Sequence, residues 1–208
     1  FVGDIKVAKP GTTTEGHVEL LHFTDQFHDL LEEIQKKLLA SPMHHCPSGK
    51  ELSVFDRAPT QDNLPADDLY LIRSTEPELT QAAYSKFHFS SKRYSSQGEL
   101  FAYLKLAGSE EIPKEKLGES TVLENQIDAV LIAENLGCTL GGGLGLDHTY
   151  VELCLSQPGP AIQALREVMK TAGMDDKSWL FFHDSDLKQE WVAMKEGNPL
   201  PVADSLSD

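Results

Sequence analysis

Five glycines lie within residues 137–145, in the run LGCTLGGGLGLDHTYVELCL that covers residues 136–155. Glycine loses more backbone freedom on folding than any other residue, so a cluster of glycines in a folded segment needs a structural reason. The usual reasons are a sharp turn and the close approach of another surface, such as a phosphate group or a neighbouring strand. The choice between them constrains what the C-terminal half can fold into.

The glycine run matches neither of two common phosphate-binding motifs. A Walker loop needs a lysine and a serine or threonine after its last glycine, but Leu146 and Asp147 follow Gly145. A dinucleotide motif needs its third glycine where Leu146 stands and a helix afterwards, whereas the residues that follow are strand-like. We therefore predict a glycine-rich hairpin at residues 141–145, between strands at 138–142 and 149–155.

Two interpretations of this hairpin stay open. It is either a bulged turn that lets two strands meet closely, or the wall of a pocket for a ligand or partner. The candidate binding residues under the second interpretation are Gly142, Gly143, Gly145, Asp147 and His148. Adjacent residues of a strand point to opposite faces, so Asp147 and His148 do not pair with each other.

A second group of histidine and carboxylates follows at His183, Asp184 and Asp186. If the strands beginning near Thr149 and Trp179 are parallel, His148 and His183 lie at opposite ends of the sheet, roughly 15 Å apart. We therefore expect no catalytic dyad between the two histidines. The sequence assigns no catalytic residue, although Asp147 or His148 would supply a polar or acid-base group to a pocket beside the hairpin.

The C-terminal half predicts a helix-hairpin-helix-strand order. Ser120 caps a helix that runs through Asn135 and stops at Gly137, and a second helix runs from Pro158 to Gly173. A strand at 179–183 completes a β-α-β unit. The fold class predicted is α+β, with an antiparallel or mixed sheet, helices packed on one face and a ferredoxin-like module. The first half is a candidate for a degenerate repeat of the same plan.

The N-terminal half predicts one long helix and several short elements. Apolar residues recur every three or four positions over residues 18–40, which is the pattern of a buried helical stripe. Strands are expected at 52–55 and 69–72, and a helix at 77–87 capped by Ser74 or Thr75. Residues 87–106 favour a hairpin, with a helix at 97–107 as the alternative.

These elements give the expected domain organisation. Residues 1–108 form an N-terminal half, 109–119 a linker, 120–198 the C-terminal module and 199–208 a tail, with both halves packed as one unit.

The formal net charge of −15 bears on the classes of partner. An acidic surface repels phosphate backbones, so we expect no nucleic-acid partner. No apolar run is long enough for a membrane span, and the first residues lack the plan of a signal peptide. With three scattered cysteines, this predicts a cytoplasmic protein. The chain begins at Phe1, which leaves a removed leader as an open alternative.

Metal and nucleophile motifs are weak in this sequence. Met43, His44, His45 and Cys46 offer ligand-capable side chains in a row, but metal sites usually need spacings that let side chains converge. No nucleophile elbow occurs, and Cys138 and Cys154 are expected to pack as small apolar residues. We expect no metal and no cofactor.

Two hypotheses of function follow. The first is a non-enzymatic protein-binding or regulatory module, similar in role to an inhibitor or immunity protein, whose partner is a basic protein or a second copy of the chain. The alternative is a small-molecule-binding protein or enzyme with a pocket beside the hairpin at 141–148.

Overall fold

The computed structural model describes residues 28–29, 42–43, 51–59, 66–85, 87–95, 97–108 and 121–199. The chain divides into two units, Phe1–Lys37 and Leu38–Asp208. Within the first unit only His28 and Asp29 are described, and both are helical and exposed. The rest of the long helix predicted at 18–40 lies outside the described residues, as does the linker predicted at 109–119. The second unit carries every other element.

Seven strands and three helices make up the described part of the second unit. The strands are β1 (Ser53–Asp56), β2 (Leu69–Ser74), β3 (Leu100–Ala107), β4 (Gly137–Gly145), β5 (His148–Leu155), β6 (Ser178–Phe182) and β7 (Trp191–Ala193). The helices are α1 (Pro77–Ala83), α2 (Val122–Ala133) and α3 (Pro158–Thr171), and short 3-10 turns occur at Ser91–Arg93, Asp175–Lys177 and Ser185–Leu187. No described helix combines the length and apolar character needed to cross a bilayer.

All seven strands form one sheet in the order β1-β2-β4-β5-β3-β6-β7, and every neighbouring pair is antiparallel. The predicted α+β class with an antiparallel sheet is therefore confirmed. Since β5 and β6 both run antiparallel to β3, they are parallel to each other with β3 between them. Strand β3 comes from the predicted N-terminal half, so its residues lie beside those of the C-terminal half in one sheet.

The two faces of the sheet carry different helices. Alternate residues of β3 and β5, such as Leu104 and Leu153, form an apolar core with Ile127 of α2 and Leu165 of α3. On the opposite face Leu79 of α1 packs against side chains of β3, β4 and β5. The expectation of helices on one face thus holds for α2 and α3 but not for α1, because the short helix after β2 crosses to the other side.

The glycine run lies inside strand β4, and the hairpin turn is at Leu146 and Asp147. The predicted hairpin at 141–145 is thus wrong in position. The reason is space on both sides of the strand: a Cβ on Gly142 would lie 2.0 Å from Oε1 of Glu124, and a Cβ on Gly145 would lie 2.3 Å from Oδ2 of Asp68. The glycines let the carboxylates of Glu124 and Asp68 approach the backbone from opposite faces.

Glu124 is one of these carboxylates, and it joins three elements. Its Oε1 accepts a hydrogen bond from the Arg73 guanidinium at 2.6 Å, and both side chains are almost fully buried. Its other oxygen accepts from the backbone N–H of Thr121, while the Thr121 hydroxyl accepts from the Glu124 N–H at 3.2 Å. This reciprocal capping box makes Thr121 the N-cap of α2, rather than the predicted Ser120.

Three further predictions of element ends need correction. Helix α1 starts at Pro77 after Glu76 and ends at Ala83, and neither Ser74 nor Thr75 is its cap. Ser74 instead accepts from the N–H of Glu76 through its hydroxyl. The left-handed residue after α2 is Asn135, with φ of 54°, and Gly137 begins β4.

The remaining alternatives for residues 87–107 are also decided. Residues 100–107 form strand β3 rather than a helix, whereas Phe87 and Phe89 lie outside any strand and precede a 3-10 turn. Phe89 is nevertheless buried, because it packs against Phe101 and Tyr94. Its alternation with Phe87 therefore does not mark a strand.

The position of Gly142 predicts a strong effect of one methyl group. We expect Gly142→Ala to lower the free energy of unfolding by roughly 1–3 kcal/mol, since the new methyl overlaps the Glu124 carboxylate and the Tyr150 carbonyl oxygen. Urea denaturation measures the change. Gly159→Ala is the control, because nothing lies within 4 Å of a Cβ at Gly159. Equal stabilities of the two variants would contradict the assigned role of Gly142.

Candidate functional site

Strand β5 carries a row of ionisable side chains on one face. Residues 148, 150, 152 and 154 are His, Tyr, Glu and Cys, whereas the intervening positions point into the core beneath α2 and α3. Side chains alternate across a strand, so all four ionisable residues lie on the face that α1 covers. Each end of the row and its middle has a separate set of partners.

At the turn end of β5, the partly buried carboxylate of Asp68 lies close to four donor groups. Its Oδ2 lies 3.1 Å from Nδ1 of His148 and accepts from the Asp147 N–H at 3.1 Å. Its Oδ1 accepts a hydrogen bond from the Tyr150 hydroxyl and lies 3.8 Å from Nζ of Lys105. This cluster ties the start of β2 to the β4–β5 hairpin.

The surroundings of Asp68 shift the pKa values of the groups around it. Burial alone would raise the pKa of Asp68, but the hydrogen bonds and the Lys105 charge outweigh burial and hold it well below its usual range. Burial lowers the pKa of Lys105, opposed by the nearby aspartates. Burial and the Asp68 carboxylate together raise the pKa of Tyr150. Because both oxygens of Asp68 are bound by neighbouring groups, we interpret the role of this cluster as structural.

The sequence-predicted binding residues do not all lie at this cluster, because Gly142 faces Glu124 on the opposite side of the sheet. Gly142, Gly143 and Gly145 are buried in β4, Asp147 is exposed in the turn, and His148 is bonded to Asp68. The structure thus brings His148 and the Asp147 backbone to Asp68, which the sequence analysis did not name. The charge of the Asp147 carboxylate acts on Lys105, but this carboxylate forms no hydrogen bond with a described residue. The assignment of these five residues to ligand binding stays a prediction.

The middle of the row holds a second carboxylate, Glu152, which is 3% exposed. Its Oε2 lies 2.8 Å from Nε2 of His183, and its Oε1 accepts a hydrogen bond from the Tyr84 hydroxyl. Register places Glu152 opposite Tyr103 of β3, and His183 directly follows β6. Helix α1 ends immediately before Tyr84, so three elements bring the histidine, the carboxylate and the phenol together.

Aromatic rings enclose His183. The Tyr84 ring meets it edge-on at a centroid distance of 5.0 Å, and the Tyr103 ring lies at 5.0 Å with a tilt of 42°. Burial, reinforced by the charge of Glu152, raises the pKa of both Tyr84 and Tyr103 well above the usual value. Both phenols therefore stay protonated at neutral pH, and Tyr84 donates its proton to the hydrogen bond with Glu152.

A cleft of about 90 Å³ opens beside this cluster. Its lining consists of Arg57, Ala66, Ala83, Tyr84, Ser85, Tyr103, Phe181, Phe182, His183 and Lys188. Typical pockets for drug-sized ligands measure roughly 300–1,000 Å³, so this cleft suits a small ligand or one end of a larger one. A second concavity, of about 130 Å³, is lined mainly by apolar residues, and none of the described residues in its lining is ionisable.

The far end of the row holds a pair of thiols. Cys154 lies directly opposite Cys138 of β4, and both are buried and free. A hydrogen bond with Cys138 and burial, together with nearby Glu99, raise the pKa of Cys154. A thiol with a raised pKa is a poor nucleophile, which agrees with the predicted packing role.

His148 and His183 pair with different carboxylates, those of Asp68 and Glu152 respectively. His148 aligns with Ala107 of β3, whereas Phe182, just before His183, aligns with Ala102 at the opposite end of the strand. The predicted separation of the two histidines is therefore confirmed. Among the described residues, no group of three or more metal-ligating side chains converges. His44, His45 and Cys46 lie outside the described residues.

Sequence reasoning missed Glu152 and Tyr84. Glu152 had a usable signal, because it is a charged residue at an inward position of a strand whose other positions are mostly apolar. Tyr84 had none, since a tyrosine just after a short amphipathic helix is common at exposed positions too.

Comparisons of the chain with models of known families, with curated proteins and with solved structures found no match. The function therefore has to be argued from the side chains themselves.

The lowered pKa of Asp68 predicts how stability depends on pH. A carboxyl group with a lower pKa in the folded than in the unfolded state stabilises the fold fully above the unfolded pKa, and this contribution is lost as the pH falls towards the folded value. We expect Asp68→Asn to be destabilised most near neutral pH, and its deficit relative to the wild type to shrink below about pH 4.

Urea denaturation at about pH 7, 5 and 3 measures this deficit. Asp186→Asn serves as the control, because the Asp186 side chain is 92% exposed. Its stability should follow the wild type at each pH. A deficit of Asp68→Asn that does not change with pH would show that the lost contribution is not electrostatic.

Proposed function

We propose that the chain binds a small molecule in the cleft at Tyr84, Tyr103 and His183, and that His183 exchanges a proton with it. The observation that carries the proposal is the hydrogen bond between His183, which lines the cleft, and the buried carboxylate of Glu152. This keeps the small-molecule hypothesis from the sequence but moves its site from residues 141–148 to the middle of the row on β5.

The Glu152 carboxylate fixes the orientation and the tautomer of the imidazole. An ionised carboxylate only accepts hydrogen bonds, so Nε2 of His183 carries the proton in the bond to Glu152. Nδ1 is then the basic nitrogen of the neutral ring, and it makes no hydrogen bond with any described residue. A carboxylate-oriented imidazole with one nitrogen left over is the arrangement that general acid-base catalysis uses.

The Tyr84 hydroxyl and the aromatic walls support this role. Tyr84 donates to the second oxygen of Glu152, so both carboxylate oxygens are bound and the carboxylate cannot swing away from His183. The rings of Tyr103 and Phe181 are stacked at 5.5 Å and form part of the lining, which lowers the water content next to the imidazole. Charge interactions are stronger in such a poorly hydrated site.

The Asp68 cluster is less suited to the same role. His148 also lies beside a carboxylate, that of Asp68, but it lines neither concavity described above. Asp68 is shared among His148, Tyr150, Lys105 and a backbone N–H, which serves cohesion between strands. The two pairs therefore form a natural comparison within one chain.

The test is a thermal-shift screen of small metabolites on the wild type, His183→Gln, Glu152→Gln and His148→Gln. We expect compounds that raise the melting temperature of the wild type to act equally on His148→Gln and much less on the two cleft variants. Melting temperature is read as the shift from each variant without compound, which removes differences in basal stability. For a bound compound, the ring signals of His183 should move in an NMR titration.

Three results would count against the proposal. Equal shifts in the wild type and in His183→Gln would place the ligand elsewhere. Loss of the shift only in His148→Gln would return the site to Asp147 and His148, as the sequence analysis predicted. If no compound shifts the wild type, the cleft loses its support as a ligand site.

A second candidate function is the non-enzymatic protein-binding module, which the net charge of −15 favours. The partner would be a basic protein or a second copy of the chain, attracted through long-range charge. We expect any complex seen on a sizing column to weaken when the ionic strength rises, because salt screens such attraction. A complex that is insensitive to salt, or the lack of any complex with basic proteins, would remove this candidate.

We also propose that strands β3 to β6 with α2 and α3 form a ferredoxin-like module. Its support is the element order β3-α2-β4-β5-α3-β6 with β3 between β5 and β6, which is a split β-α-β arrangement. The degenerate duplication stays a prediction, since most of residues 1–50 lies outside the described part. Fold by itself says nothing of chemistry, so this proposal and the site at His183 stand separately.

A further inference from the structure

The ionisable residues that line the cleft are unusual for this chain. The protein has 33 acidic residues against 18 lysines and arginines, yet the described residues of the lining include Arg57, Lys188 and His183 and no carboxylate. The Glu152 carboxylate is nearby, but both of its oxygens are hydrogen-bonded to His183 and Tyr84. Cationic side chains thus line the cleft itself, whereas the carboxylates that act on its Tyr103, those of Glu152, Asp67 and Asp68, lie behind the lining.

Within the described part of the chain, Arg57 is held in place by a backbone carbonyl and an aromatic ring. Its Nη1 donates to the carbonyl oxygen of Ala66 at 2.8 Å, and its guanidinium carbon lies 5.1 Å from the centre of the Tyr84 ring. No carboxylate of the described residues forms an ion pair with Arg57 or with Lys188. A guanidinium positioned by a backbone carbonyl and a ring keeps further N–H groups for a ligand.

The rest of the lining limits the size and character of a ligand. Tyr103, Phe181 and Phe182 supply aromatic surface, and the volume of about 90 Å³ is small. An extended polyanion would not fit this volume, and a bare inorganic anion would leave the aromatic surface unused. The combination favours a compact molecule with one apolar part and one anionic group.

We propose that the ligand of the cleft is a small organic carboxylate, whose apolar part lies on the aromatic surface and whose carboxylate is bound by Arg57 and Lys188. This inference rests on the proposed function at His183 and names its class of ligand. Arg57 supplies the directional hydrogen bonds, because its planar fork matches a carboxylate, and exposed Lys188 supplies a second charge at the opening. His183 then meets the part of the molecule away from the carboxylate.

The test uses benzoate, its neutral analogue benzamide, propionate and inorganic phosphate as probes on the full chain. Binding is followed by NMR chemical shifts and by calorimetry. We expect benzoate and propionate to bind saturably and benzamide to bind about tenfold more weakly than benzoate, which is the usual worth of a charged hydrogen bond. Equal binding of benzoate and benzamide would overturn the inference, and so would binding of phosphate alone or no saturable binding of either carboxylate.

Variants assign the effect to the cleft. Arg57→Gln should weaken benzoate binding about tenfold and Lys188→Gln by less, because Lys188 is exposed and screened by solvent. Arg57→Lys keeps the charge but not the planar fork, so we expect it to bind benzoate more tightly than Arg57→Gln and more weakly than the wild type. Lys170→Gln is the matched control, an exposed lysine on α3. Unchanged benzoate binding in Arg57→Gln would overturn the inference.

The outcome for His183→Gln separates this inference from the proposed function. If carboxylates bind this variant as they bind the wild type, the ligand class holds and the proton-exchanging role of His183 does not follow. If carboxylates fail to bind the wild type while neutral compounds from the screen depend on His183, the proposed function holds and the ligand class is wrong.

Discussion

The buried ion pair between Arg73 and Glu124 requires a glycine, Gly142, at the neighbouring position of strand β4. The pair lies under the sheet face that α2 covers, and Gly142 provides the space for its carboxylate. Burial raises the pKa of Glu124, although Arg73 and Thr121 oppose this shift, so the charges cost desolvation energy that only good geometry offsets. The same carboxylate caps α2, which couples the helix start to β2 and β4.

The glycines of β4 also allow close packing on the opposite face of the sheet. With glycines at 143 and 145, β4 lies close to Leu69 and to the Asp68 carboxylate, and Asp68 in turn holds the start of β5 through His148 and Tyr150. Strand β5 is thereby fixed next to β3 with its polar residues facing α1. The row on β5 acquires a structural carboxylate at one end, a thiol pair at the other and the proposed site in the middle.

Much of the fold could be predicted from local pattern, and the site largely could not. The strands at 53–56, 69–74 and 178–182 and helix α3 follow from apolar runs and from proline and glycine at their ends. The glycine run led to a wrong position for the hairpin turn, because the close approach of a carboxylate and a sharp turn both need glycine. The partner of His183 was missed because it lies 31 residues away, at Glu152 on a strand that pairs with β3 rather than with β6.

The sequence by itself determined the alternation on β5, where His148, Tyr150, Glu152 and Cys154 occupy every second position and must share a face. It also determined the acidic charge and the absence of phosphate-binding motifs. Only the tertiary structure decided which side chains contact that face. The strand order places β3 between β5 and β6, and the end of α1 places Tyr84 within hydrogen-bonding distance of Glu152. Hydrogen bonding between residues far apart in the chain depends on this topology, which no local pattern encodes.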